Sequence, residues 1–217
     1  MRTKTLIAAA AILAVSLATT VAQTNVYSQN VVGYINVTVT NWAMIANQLD
    51  LDGTGTNNTV ATTLGTNVPV GTAIYAWNPA SGSFAYALYT AKGWSGVTAP
   101  VNAAMNPGSG FFIKPSSPVT VTLVGNVLQG TLATPYTAGF NVLSSKVPQA
   151  GTLQANLGYT PVVGDAVYRF NPATQSYIYH LYTAKGWTGG DPPLSVGDSF
   201  WLMAAAAGTW TRNFTVQ

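Results

Sequence analysis

A stretch of 24 residues occurs twice in this chain. Gly71–Trp94, GTAIYAWNPASGSFAYALYTAKGW, returns as Gly164–Trp187, GDAVYRFNPATQSYIYHLYTAKGW, with fifteen identical positions at a constant offset of 93. Repetition on this scale restricts the chain to architectures that can be built twice from one supersecondary unit. Each copy reads as a β-hairpin. Ile74–Trp77 and Phe84–Tyr89 carry strand-type alternation, and Asn78-Pro79-Ala80-Ser81-Gly82-Ser83 has the Asn-Pro and Ser-Gly steps of a turn.

The hairpins also suggest which face is buried. Tyr75, Trp77, Phe84, Tyr86 and Leu88 stay large in the second copy, as Tyr168, Phe170, Tyr177, Tyr179 and Leu181. On the opposite face Ala76 becomes Arg169 and Ala87 becomes His180. A position that accepts Ala once and Arg once reads as wet. The expectation is therefore that the aromatic row fills the core, with ring–ring contacts each worth roughly 0.5–1.5 kcal/mol beyond burial.

Around the hairpins the same order of segments recurs. Val31–Thr40 alternates as a half-buried strand, with Val31, Gly33, Ile35, Val37 and Val39 on one face, and Gly130-Thr131-Leu132 echoes its Gly33-Tyr34-Ile35. Trp42-Ala43-Met44-Ile45 is echoed by Phe140-Asn141-Val142-Leu143. Thr59–Leu64 and Thr152–Leu157 read as short helical turns. Phe111–Lys114 with Val119–Val124, and Phe200–Met203 with Thr209–Val216, read as the closing strands. The expected fold is mainly β: two homologous sandwich- or barrel-like repeats, residues 31–126 and 127–217, packed side by side with no flexible linker between them.

Met1–Ala22 has the form of a secretory leader. Arg2 and Lys4 precede the uncharged apolar run Leu6–Leu17, and Thr20-Val21-Ala22 supplies small residues before Gln23. That run is too short to span a bilayer, so cleavage is expected, followed by the polar lead-in of residues 23–30 and no later membrane segment. Without the leader, six of the eight basic residues face five Asp, a net charge of +1, and there is no Glu and no Cys. No basic stripe offers an electrostatic footprint for nucleic acid. Stability in an exported chain without Cys must come from burial and hydrogen bonding. A charge so close to zero favours association over repulsion.

The run from Trp42 through Tyr75 to Gly108-Ser109-Gly110-Phe111-Phe112 resembles a module of uncharacterised bacterial exported proteins. Their pattern is Gly-aromatic-Asn-hydrophobic-hydrophobic-Ser, a Tyr-aromatic strand, Pro-Gly-x-Gly-aromatic-aromatic, and a Thr-rich strand. The second copy supplies the opening as Gly139-Phe140-Asn141-Val142-Leu143-Ser144. The first copy has Asn41 in place of the opening Gly, and the second has Val196-Gly197-Asp198-Ser199 in place of Pro-Gly-x-Gly. The resemblance implies export and β-structure, and carries no catalytic residue across.

Three sets of residues merit weighing as sites. His180, the only histidine, faces Arg169 in the expected hairpin and reads as a solvated strand residue; Asp191 and Asp198 have no counterpart in the first copy as an acid–base pair. No catalytic residue is expected. Asp50 and Asp52, within DLDGTGTN, have the oxygen-rich look of a weak calcium site, although Thr54 is a poor ligand and the distant Glu of such loops is missing. The repeated Tyr-Thr-Ala-Lys-Gly-Trp segments are the ligand-binding candidates. Tyr89, Lys92 and Trp94, with Tyr182, Lys185 and Trp187, could offer rings and ammonium groups to a sugar, or each Trp could fold back as a lid on its own core. The sequence thus favours an exported structural protein of the cell surface or extracellular space that assembles with itself, with binding of surface polysaccharide as the alternative.

Overall fold

A computed structural model describes residues 31–216. The leader and lead-in expected at Met1–Asn30 lie outside the described residues. The first half runs β1 (Val32–Val39), β2 (Ala43–Ile45), α1 (Val60–Thr63), β3 (Ala73–Asn78), β4 (Ser83–Thr90), β5 (Gly93–Ser95), α2 (Ala99–Ala103), β6 (Phe111–Lys114) and β7 (Val119–Asn126). The second runs β8 (Gly130–Tyr136), β9 (Gly139–Ser144), β10 (Gly151–Thr152), β11 (Ala166–Asn171), β12 (Ser176–Thr183), β13 (Gly186–Trp187), β14 (Pro193–Leu194), β15 (Ser199–Ala204) and β16 (Gly208–Phe214). The fold is mainly β, as expected.

Each half contains an open five-stranded antiparallel sheet, ordered β2-β6-β3-β4-β5 in the first and β9-β15-β11-β12-β13 in the second. A two-stranded ribbon accompanies each sheet, β1 with β7 and β8 with β16. Registers agree across the halves. Tyr75 lies opposite Tyr86 and Phe112, and Tyr168 lies opposite Tyr179 and Trp201. Neither sheet closes into a barrel; ribbon and sheet form a small sandwich.

The core of the first half brings Ile35 and Val39 of β1, and Val121 and Leu123 of β7, against Ile74, Ala76, Ala87, Phe111 and Ile113 of the sheet. In β1 this is the face that alternation assigns inward. The second core uses Leu143, Val167, Phe200, Leu202 and Trp210, with Leu153, Leu157 and Tyr159 from the long connection. Thr59 caps α1, its side chain accepting from Thr62 N at 3.2 Å. The corresponding segment Thr152–Leu157 forms a turn of the same kind, in which Asn156 N and Leu157 N donate to Thr152 O at 3.1 and 3.0 Å. Asn156 Oδ1 accepts from Thr152 N and the Asp191 carboxylate accepts from Gln154 N and Ala155 N, satisfying the donors at its start.

The hairpin faces are the reverse of the expectation. Ile74, Ala76 and Ala87 have no exposed surface, whereas Phe84 and Tyr86 on the aromatic row are 46% and 43% exposed. The alanines are small because α2 lies against β3 and β4, and only short side chains let it approach while Val101 is buried. The second half has no helix there. Its Thr188–Leu194 segment takes another path, so Arg169 and His180 fit where alanines stand in the first half. His180 is 5% exposed, not solvated, and its cross-strand neighbour is Val167 rather than Arg169. Its Nδ1 donates to Gly190 O at 3.0 Å, with Thr188 O at 3.2 Å.

The halves join through exchanged contacts. Ala46 N donates to Gly197 O at 2.8 Å, and Ser144 N donates to Gly108 O at 3.0 Å. Isolated bridges pair Ile45 with Asp198 and Ser109 with Leu143. Because Ala46 and Ser144 are equivalent positions, as are Gly108 and Gly197, the halves relate by an approximate two-fold. No helix among the described residues is long and apolar enough to cross a membrane.

Candidate binding surface

The aromatic rows of both sheets turn toward one another across this junction. Trp42, Tyr75, Trp77, Phe84, Tyr86 and Phe112 from the first half, with Phe140, Tyr168, Phe170, Tyr177, Tyr179 and Trp201 from the second, make one unbroken chain of ring contacts. Four contacts cross the middle. Trp77 meets Trp201 at 5.2 Å between ring centroids, Phe84 meets Trp201 at 5.9 Å, Phe112 meets Phe170 at 5.9 Å, and Phe112 meets Trp201 at 6.1 Å. Trp77–Trp201 and Phe170–Phe112 are equivalent pairs, so the two-fold extends through the seam. Met44 and Val142 are buried beneath it, and Phe112 is the buried ring at its centre.

The seam is closed at its centre and open at its flanks. Phe84, Tyr86, Phe140, Tyr177 and Tyr179 are each 43–49% exposed. Two clefts flank the two-fold. One, of about 360 Å³, is lined by Trp42, Tyr75, Phe84, Phe112, Phe170, Gln175 and Tyr177. The other, of about 390 Å³, is lined by Trp77, Phe84, Phe140, Tyr168, Tyr177 and Trp201. Among the described residues no charged side chain lines either cleft, although Lys114 Nζ stands 5.4 Å from the Trp42 ring centroid. Volumes in this range are typical of ligand sites.

Polar groups in the clefts are largely engaged within the chain. Trp77 Nε1 donates to Phe140 O at 2.8 Å. The equivalent carbonyl is that of Trp42, and the residue equivalent to Trp77 is Phe170, whose ring has no N–H to give. Gln175 supplies the donor instead, its Nε2 reaching Trp42 O at 3.1 Å and Pro172 O at 2.5 Å. It does so from a left-handed backbone, φ 53°, at the position that Gly82 occupies in the first hairpin. Trp201 Nε1 donates to the Tyr177 hydroxyl at 3.3 Å.

The repeated Tyr-Thr-Ala-Lys-Gly-Trp segments lie apart from this surface. Trp94 stacks on Tyr89 at 5.1 Å, packs against the first core and donates through Nε1 to Gly65 O at 2.8 Å. Trp187 meets Tyr182 at 5.1 Å, packs against the second core and donates to Gln154 Oε1 at 3.1 Å. Lys92 and Lys185 sit exposed on tight turns, where Thr90 Oγ1 and Thr183 Oγ1 accept from their backbone N–H groups. Each set of three thus belongs to its own half, with both indoles turned inward.

Asp50 and Asp52 hold their loop together. Asp50 is buried, and accepts from Gly55 N and Asn58 Nδ2 at 2.9 Å each. Asp52 accepts from Thr54 N at 2.9 Å, from Thr54 Oγ1 at 2.7 Å and from Asn57 Nδ2. The Thr54 N–H and hydroxyl hold the Asp52 carboxyl below its ordinary range. Among the described residues no three His, Cys, Asp or Glu side chains gather where they could share an ion.

Sequence reasoning named the hairpin rings of the seam but placed them inside, and it passed over Trp42, Phe112, Phe140, Trp201 and Gln175. The usable signal was the alanine row opposite the rings, since a strand face of alanines marks close packing. No family model, no curated protein and no solved structure matches this chain.

Proposed function

We propose that this chain is an exported, non-enzymatic structural protein of the cell surface or extracellular space, and that the aromatic seam is its working surface. The seam itself carries this reading. A contiguous set of half-exposed rings is costly to leave in water, and apolar patches beyond a few hundred Å² mark interaction sites. At roughly 200 Å² per aromatic side chain, the five most open rings expose about 450 Å², and the remaining rings add to this.

The test compares the protein with a variant carrying Tyr86→Lys and Tyr179→Lys. Both rings are nearly half exposed, and a lysine stem can lie along apolar neighbours with its ammonium in water, so the melting temperature is expected to hold. Sedimentation velocity and retention on insoluble polysaccharides such as cellulose and chitin are measured for both proteins. Association of either kind that the variant loses supports the reading. Identical behaviour in every assay overturns it.

A further inference from the structure

We propose that the occupant of the seam is a second copy of this chain, docked face to face through an isologous contact whose dyad runs perpendicular to the two-fold that relates the halves. This rests on the reading of the seam as the working surface, and adds the partner.

Three observations select this partner. The first is area. The five most open rings present about 450 Å² of aromatic surface at roughly 200 Å² per ring, and six half-buried rings of the seam add to it. A stable interface takes about 800 Å² from each partner, so a second seam with its rim matches the requirement. The second is symmetry. An isologous contact needs a surface complementary to itself, each residue meeting its counterpart's neighbour in both directions. Here two nearly equal clefts flank the two-fold, sharing Phe84 and Tyr177 as walls, and Tyr86 and Tyr179 stand open on the same face as candidates to enter a partner's clefts.

The third is chemistry. Recognition of a sugar draws on several donors and acceptors beside the rings, whereas Trp77 Nε1, Trp201 Nε1 and Gln175 Nε2 already have partners in the chain and the tyrosine hydroxyls are the main polar groups left to meet an occupant. Among the described residues no charged group lines the clefts, and the chain from Gln23 onward carries a net charge of only +1. Nothing electrostatic opposes the approach of an identical seam.

The absence of cysteine permits a direct test. Single-cysteine variants of the protein beginning at Gln23 are made at Tyr177→Cys, beside the two-fold, and at Lys92→Cys on a remote exposed turn, and each is treated with a short bismaleimide. The unsubstituted protein is followed by sedimentation equilibrium. The expected result is a dimer, cross-linked efficiently through position 177 and not through 92. The Tyr86→Lys, Tyr179→Lys variant, and separately Tyr86→Ser with Tyr179→Ser, should weaken the dimer by about 100-fold or more, as loss of central aromatic anchors does. A protein monomeric at high concentration, or a dimer linked through 92 and not 177, overturns the proposal. Seam-dependent retention on polysaccharide by a strict monomer overturns it too, while leaving the broader reading of the seam intact. Failure of every seam-dependent assay removes both.

Discussion

Gly110 and Ser199, equivalent residues at the entrances to β6 and β15, meet where the two halves join: a Cβ added to Gly110 would lie 2.2 Å from the Cβ of Ser199 and 3.1 Å from Val142 Cγ1. Ser199 Oγ also donates across the junction to Ile45 O at 3.1 Å. Identical residues of any size above glycine could not occupy both places. Gly110→Ala is therefore expected to lower stability by about 1–3 kcal/mol through overpacking. Adding Ser199→Gly to that variant should recover part of the loss, although Ser199→Gly alone destabilises. Denaturant unfolding of the four proteins in a double-mutant cycle measures the coupling.

Burial of Asp165 is made tolerable by three donors. Its Oδ2 accepts from the Tyr159 hydroxyl at 2.7 Å and from Val162 N at 2.8 Å, and its Oδ1 accepts from Ala205 N at 2.8 Å. Burial, with this carboxylate close by, pushes the Tyr159 hydroxyl far above its ordinary range, so it stays a donor at any working pH. Tyr159→Phe should cost about 1–3 kcal/mol, since it removes a donor from a buried carboxylate while keeping the ring. Chemical denaturation at pH 7 checks this.

Asp198 and Asp52 should respond to pH in opposite senses. Burial raises the Asp198 pKa, although the Ser195 N–H at 2.8 Å and the charge of Arg169 work against it. The folded state then holds this proton to higher pH than the unfolded state. Stability is lost as pH rises from the ordinary carboxylate value of about 3.9 through the raised folded value. Asp52 is shifted down, so its contribution is present above that ordinary value and fades as pH falls below it. Asp198→Asn keeps an acceptor for Ser195 N and removes the ionisation. It should melt higher than the unsubstituted protein at pH 7, with the gain shrinking toward pH 3.

Gln175 separates backbone strain from hydrogen bonding. Gln175→Ala keeps the left-handed φ and loses the contacts to Trp42 O and Pro172 O, an expected loss of about 1 kcal/mol. Gln175→Gly loses the same contacts but relieves roughly 1–2 kcal/mol of left-handed strain. The glycine variant should therefore be at least as stable as the original and clearly more stable than the alanine variant. Thermal unfolding of the three proteins decides the order.

Much of the fold was legible because strand alternation and turn chemistry are local. The hairpin ends at Asn78 and Ser83 follow from an Asn whose side chain accepts from Ala80 N at 3.1 Å and from a Gly with φ 61°. The echoes of Trp42–Ile45 and Gly108–Ile113 located the residues that later exchange contacts across the junction. The burial direction of the hairpins was not legible, because both faces are apolar in the first copy. The deciding neighbour, α2, is a short helix whose pattern is too brief to read. The wet reading of this face failed at Ala76, Ala87 and His180 for the same reason, while Arg169 is half-buried. These substitutions record a missing helix in the second half, not solvent on the equivalent face of the first. The seam was invisible because it needs the two-fold, a property of the assembled halves and not of any segment.

The most direct measurement is hydroxyl-radical footprinting by mass spectrometry across a dilution series. Tyr34, 73% exposed on β1 and outside the seam, serves as the constant reference, and buried Tyr159 as the protected one. The account expects Tyr86 and Tyr179 to be shielded at high concentration and to approach the labelling of Tyr34 on dilution, as two copies part. Seam tyrosines that stay as protected as Tyr159 at every dilution, or that label equally at all concentrations, would contradict it.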